Sequence, residues 1–337
     1  MKCPSIVASG VFCLITGLLA LGAAPAVAQE VPDGWTLPRT VNGDPDLQGV
    51  WANNNATPLE RPDAWAGKSR LTPEELAELE TAAQQAVDDG DALFGDQLVL
   101  AAIERTKAES YDPTTGNYNQ FWIADRNFND RTSLVVDPAD GKIPDLTAEG
   151  QARRAALRAH REAHPADTYT DRPLSERCVT YGVPRLGAGY NSYYQVFQSA
   201  DHIVVYMEMN HDARVIPIGD KPHPSARVRQ LHGDSRAHWE GDTLVIETTN
   251  YSKASNFMGA REHLEMTERL TRVGPDTLMY EVTLADPTTW TRPWTAEIPL
   301  MGTTDAVFEY ACHEGNIGMD GILAGHRAEE REAAASK

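Results

Sequence analysis

The sequence predicts a mainly β protein, an antiparallel barrel-like sheet with N-terminal helices wrapped around it. Three observations carry that expectation. From Tyr193 onward, short apolar runs follow one another at a spacing that suits a curled antiparallel sheet better than a parallel α/β domain. Two of the connections, Glu240-Gly241-Asp242 and Gly274-Pro275-Asp276, have the residues that short hairpins require. Helical patterns gather in the N-terminal half.

Lys2 with the α-amine, the apolar run Ile6–Leu21 and the small-x-small site Ala26-Val27-Ala28 predict a signal peptide over 1–28, cleaved after Ala28. Residues 29–170 are expected to be N-terminal coil and helices packed on the body, 171–327 an antiparallel β domain, and 328–337 a polar tail. Within the coil, Leu47–Trp51 is a strand-like island, and its Gly49-x-Trp51 resembles the first strand of lipocalins, which gives the barrel expectation a calycin/lipocalin-like form. Thr72-Pro73-Glu74-Glu75 is a capping box with Pro at the first helical position, opening a helix to about Val87. A second helix is expected over Asp96–Glu109, followed by the aromatic loop Gly116–Trp122, a strand at Ser133–Pro138, and a third helix from Leu146–Thr147 to about His164. Arg153, Arg154, Arg158 and Arg161 on that helix are read most simply as a solvated face.

Beyond Tyr193 the expected strands are Val196-Phe197, His202–Met209, Arg214–Ile218, Val228–Trp239, Thr243–Thr248, Met266–Val273, Thr277–Leu284, Arg292–Ile298 and Val307–Cys312.

The chain of 337 residues has 41% hydrophobic and 23% charged residues, so it can bury a sizeable core. Its net charge of -19 argues against nucleic acid and anionic lipid as partners. After signal cleavage no stretch approaches the roughly 20 apolar residues of a membrane span. A small-molecule ligand or substrate is the expected partner, and a periplasmic or secreted location is expected. Cys3 and Cys13 leave with the leader, so Cys178 and Cys312 remain. In an oxidising compartment they are read as one disulfide closing a long loop, worth about 3–5 kcal/mol. Free thiols, or metal ligation by Cys312 with His313, are the competing readings.

The stretch His202–Thr248 contains five of the ten histidines, set among Asp, Glu and Arg. There is no Gly-x-Ser-x-Gly elbow, His-Glu-x-x-His, P-loop or Gly-x-Gly-x-x-Gly in a strand-to-helix setting, which disfavours nucleotide cofactors and the usual serine hydrolase design. Three clusters remain. His211, Asp212 and Arg214 sit on a tight turn. His232, Asp234, Arg236 and His238 alternate by two, so a regular strand would put them on one face, either a cavity wall or a solvated surface. Cys312-His313-Glu314 follows the last expected strand, either as a site group or as a hydrogen-bonded turn with a surface histidine, and Arg292, Trp290 and Trp294 read either as an anion clamp with apolar walls or as core aromatics beside a surface Arg. No cofactor is expected. His211, His238 and His313 could bind a divalent metal, although nothing in their spacing requires one.

The phrases GDPDLQGVW (43–51), RTSLVVDP (131–138), ERC (176–178), EMNHDAR (208–214), GDSR (233–236), WEGDTL (239–244), DPTTWTRPW (286–294) and YACHEGN (310–316) resemble, in this order, a family of secreted bacterial proteins. The resemblance implies one integrated domain and export. It carries no established reaction to transfer, and its pairing of ERC with YACHEGN is compatible with the disulfide.

The function expected is a periplasmic or secreted enzyme using His/carboxylate acid–base chemistry on a small organic substrate, as a lyase, isomerase or hydrolase. His211 or His313 would be the base, Asp212 or Glu314 its orienting carboxylate, and Arg214, Arg236 or Arg292 the stabiliser of negative charge. The alternative is a non-catalytic lipocalin-like protein that binds a lipophilic or aromatic ligand.

Overall fold

The computed structural model of the chain describes residues 32–88, 97–104, 126–188 and 191–336. The expected leader 1–28 and the loop Gly116–Trp122 lie outside the described residues. In chain order the elements are β1 (Gly49–Ala52), α1 (Pro73–Asp88), α2 (Gln97–Glu104), β2 (Val135–Asp137), α3 (Ala148–Ala163), β3 (Tyr193–Gln198), β4 (His202–Met207), β5 (Ala213–Pro217), β6 (Asp234–Glu240), β7 (Thr243–Thr249), β8 (Glu265–Gly274), β9 (Thr277–Ala285), β10 (Trp294–Thr303) and α4 (Gly318–Ala335).

The strands form one antiparallel ten-stranded sheet in the order β5-β4-β3-β1-β10-β9-β8-β7-β6, with β2 pairing beside β10. The two hairpin signals are the β6–β7 and β8–β9 connections. Along β8 to Leu270, β9 from Leu278 and β10 to Leu300 every second residue is buried, so Met266, Leu270, Leu278, Val282, Leu284, Ala296 and Ile298 share one inner face. Full burial of each large aliphatic side chain in that row contributes about 1.5–3 kcal/mol. Trp51, Ile203, Ile216 and Leu244 extend the same core across the other strands.

The sheet is mainly β as expected, but it is not a closed barrel. Among the described residues, the backbones of its edge strands β5 and β6 are joined at a single bridge, Ile218↔Ala237, with the bond from Gly219 N to Ala237 O at 2.8 Å. One bridge is not a ladder, and closure needs a continuous one. The N-terminal region also does more than wrap the body, because β1 runs between β3 and β10 at the middle of the sheet. Residues on both sides of position 170 therefore share one core.

The capping box at α1 is present: Thr72 Oγ1 accepts from Glu75 N, and Glu75 Oε2 accepts from Thr72 N. Thr147 caps α3 by accepting from Gly150 N. That helix lies against the 286–290 turn so closely that a Cβ on Gly150 would meet Thr289 O at 2.6 Å. Arg153 fastens it further, donating to Thr288 O and Thr289 Oγ1.

Two expected strands fall short. The stretch from Val228 becomes a strand only at Asp234, because Gly233 takes φ +69° in a turn. Val307–Cys312 forms no strand. It is held by Phe308 N donating to Glu208 Oε1 and by the Cys178–Cys312 disulfide rather than by a ladder. The expected polar tail is the second half of α4, a helix that buries none of its residues.

Candidate functional site

The turn between β4 and β5 has two consecutive residues in the left-handed region, Asn210 (φ 57°) and His211 (φ 43°). Asn and His tolerate that conformation better than most residues, and the turn swings Asp212 away from His211. The His211 ring faces the other way, its Nδ1 3.0 Å from Tyr310 O, and the residue is exposed. The base–carboxylate pair expected at 211–212 is therefore not assembled.

Asp212 instead meets Thr180 and His232. Thr180 Oγ1 donates to Asp212 Oδ2 at 2.7 Å, accepts from Gly182 N at 2.8 Å and lies 2.8 Å from His232 Nε2. His232 Nε2 is 3.8 Å from Asp212 Oδ1, too far for a direct hydrogen bond, so the hydroxyl is the link. With the Thr180 proton on Asp212, His232 must be the Nε2–H tautomer, which gives a directed chain from imidazole through hydroxyl to carboxylate. The Asp212 and His232 side chains are 10% and 21% exposed, so the chain is shielded without being sealed. Burial, opposed by Asp212 and reinforced by Arg214, holds the His232 pKa below its ordinary value of 6.5. The imidazole is therefore neutral, the form that accepts protons, to lower pH than a free one.

Sequence spacing placed His232 in a strand with Asp234, Arg236 and His238. In the structure it precedes β6 and belongs to the turn at Gly233, where a Cβ would meet Thr249 O at 2.5 Å. Asp234 pairs with His223 at 2.7 Å and Arg236 at 3.0 Å, and His238 pairs with Glu240 at 3.3 Å. These three lie on the face opposite Ser235 and Ala237, which point inward. Arg292 is exposed on Asp137 of β2, and His313 and Glu314 are exposed with no side-chain partner among the described residues.

Arg214 points inward. Its two Nη groups donate to Glu268, Ser235 and Thr248, its Nε is buried with no acceptor among the described residues, and Tyr280 OH donates to Glu268 at 2.8 Å. Burial opposes the Arg214 charge, but Glu268 overcomes it and raises the pKa above its ordinary value. Beside this pair, burial pushes the Tyr194 hydroxyl up to about 12. Glu268, Tyr280 and Thr180 carry no spacing signal of their own; only the alternating pattern of β8, with one acid in an apolar row, marks Glu268.

The space around the buried pair is about 30 Å³. A water needs roughly 10–15 Å³ on that measure, so there is room for about two waters. A second space is an open cleft of about 370 Å³ lined by Thr180, Tyr181, Leu231, Tyr251 and residues of α3. That falls within the roughly 300–1,000 Å³ of small-molecule sites. Thr180–Gly182 line the cleft, Pro184–Arg185 line the interior cavity, and Val183 lines both. The segment is pinned at Cys178 by the disulfide to Cys312.

The histidines named as metal ligands, His211, His238 and His313, do not converge among the described residues. Asp167, His326 and Glu330 do, with ligand atoms within 4.8 Å of one another. Arg327 pairs with both of those carboxylates, which partly neutralises them. Among the described residues, no helix is long and apolar enough to cross a membrane. No family model matches the chain, and no curated protein or solved structure matches it.

Proposed function

We propose that the protein is a periplasmic or secreted enzyme that performs acid–base chemistry on a small organic molecule held in the cleft beside Thr180. The observation that carries this reading is the chain His232–Thr180–Asp212, in which one hydroxyl stands 2.8 Å from an imidazole nitrogen and 2.7 Å from a carboxylate oxygen. When the free Nδ1 of His232 takes a proton from the substrate, the Nε2 proton can pass to Thr180 Oγ1 as the hydroxyl proton moves to Asp212, with no heavy atom displaced. His232 is the base, Asp212 the terminal acceptor, and Thr180 the group that lines the substrate space. The Cys178–Cys312 disulfide supports export.

The binding-protein alternative has less support, since an interior with room for about two waters does not accommodate a lipophile of ordinary size. The test is turnover by the purified mature protein on chromogenic aryl esters, phosphates and sulfates, together with deuterium exchange into 2-oxo and 2-hydroxy carboxylates in D₂O. Conversion that His232→Gln and Asp212→Asn both abolish, with circular dichroism unchanged, is the expected result. Conversion that survives both substitutions would overturn the assignment.

A further inference from the structure

We infer that the cleft beside Thr180 selects organic anions, molecules with an apolar body and a carboxylate or phosphate group. The inference rests on the reading of the cleft as the substrate site and adds the substrate class to it.

The first observation is charge. The chain has 49 acidic and 30 basic residues, so a basic residue has no shortage of acidic partners. Yet the cleft is lined by five cations, Arg161, Arg172, Arg177, Lys253 and Arg261, against one carboxylate, Asp171. Asp171 is already occupied by His160 at 3.1 Å and by Thr168 N at 2.8 Å. Of the cations, Arg172 is held by Glu176 at 2.7 Å. The other four have no carboxylate partner among the described residues, and Arg177 lies over the Tyr169 ring instead. Four cations left unpaired in one concavity of an acidic protein make a local positive field, and such a field draws in anions.

A second observation concerns one of these side chains. Arg261 Nε is out of contact with solvent and has no acceptor among the described residues. Arg214 and Arg272 have an unpaired Nε as well, and what sets Arg261 apart is its place in the cleft lining. Arg is also the side chain that recognises carboxylate and phosphate with paired donors.

The third observation is the rest of the lining. Leu157, Leu174, Phe257 and Leu264 supply apolar wall between the cations. Inorganic phosphate alone would leave that wall uncovered, whereas an aromatic or aliphatic anion covers it. Thr180, the middle member of the acid–base chain, lines the same cleft as these cations.

The test is calorimetric titration of the full mature chain with naphthalene-2-carboxylate, 2-naphthyl phosphate and the neutral naphthalene-2-carboxamide. Both anions are expected to bind at least about tenfold more tightly than the amide, as charge-assisted pairing in a partly desolvated cleft implies. The tighter of the two identifies the anionic group. Lys253→Gln, at an exposed position, and Arg261→Gln should each weaken the anions several-fold and leave the amide unchanged. Equal binding of all three ligands, no binding of the anions, or full anion affinity in both variants would overturn the inference. Anion binding without turnover of any test substrate would leave this inference standing and remove the catalytic reading. Turnover of neutral substrates with no preference for anions would do the reverse.

Discussion

Arg214 and Glu268 meet two-to-two inside the sheet, Nη1 at 2.8 Å from Oε1 and Nη2 at 2.6 Å from Oε2. Both side chains are almost fully buried, at 6% and 4% exposure. Such a pair stabilises little on balance, because desolvating two charges offsets most of their attraction. Breaking it is another matter. Glu268→Gln should destabilise the fold by about 3–5 kcal/mol, and Arg214→Met/Glu268→Leu together by much less, as read by chemical denaturation. Equal losses in the single and double variants would mean the pair is not acting as a unit.

The sign of the His232 shift fixes a pH dependence. The folded-state pKa is depressed by burial, so the unfolded chain takes up the proton first as pH falls. Stability from this group is therefore fully present above about 6.5 and is lost as pH falls from there through the lower folded value. Titration of the His232 ring by NMR should give a pKa below 6.5, and His232→Gln should flatten the acid limb of stability against pH. A normal or raised pKa would remove the basis for a neutral imidazole.

Gly233 holds His232 at its turn with φ +69° and no space for a side chain, since a Cβ would meet Thr249 O at 2.5 Å. Gly233→Ala should cost about 1–3 kcal/mol and return the His232 pKa toward its ordinary value by moving the ring. A stable variant with an unshifted ring titration would show that the turn does not position the imidazole.

The Cys178–Cys312 bridge spans 134 residues. Chain-entropy reasoning gives a bridge over a loop of that length about 5 kcal/mol. Cys178→Ser/Cys312→Ser should lower stability by that order and release segment 304–317 from the Thr180 loop. Hydrogen exchange should then rise first at Thr180–Gly182 and around Tyr310. Uniform exchange across the fold would argue that the bridge supports the whole sheet rather than this end of it.

Much of the fold was legible because its signals are local. Gly-containing hairpin turns at 240–242 and 274–276 and the Thr72 capping box each act within a few residues, and each stands where the pattern put it. The site was less legible. Asp212 and His232 were both visible as candidates, but the group joining them is Thr180, in a segment with no periodicity. Alternation by two assumed that His232 belongs to a strand, whereas the pleat begins only at Asp234, after the turn at Gly233. The His211–Asp212 pairing failed for a related reason, since two left-handed residues turn the carboxylate away from the neighbouring ring. Closure of the barrel depends on how far two edge strands run beside each other, and no stretch of sequence encodes that by itself.

The most direct test of the acid–base account compares His232→Gln with His211→Gln on a substrate that the wild-type protein converts. Loss of general-base catalysis should lower kcat by about 10²–10⁴-fold in His232→Gln, while His211→Gln, altered at an exposed ring beside Tyr310 O, keeps the wild-type rate. An undiminished rate in His232→Gln, or loss confined to His211→Gln, would contradict the account.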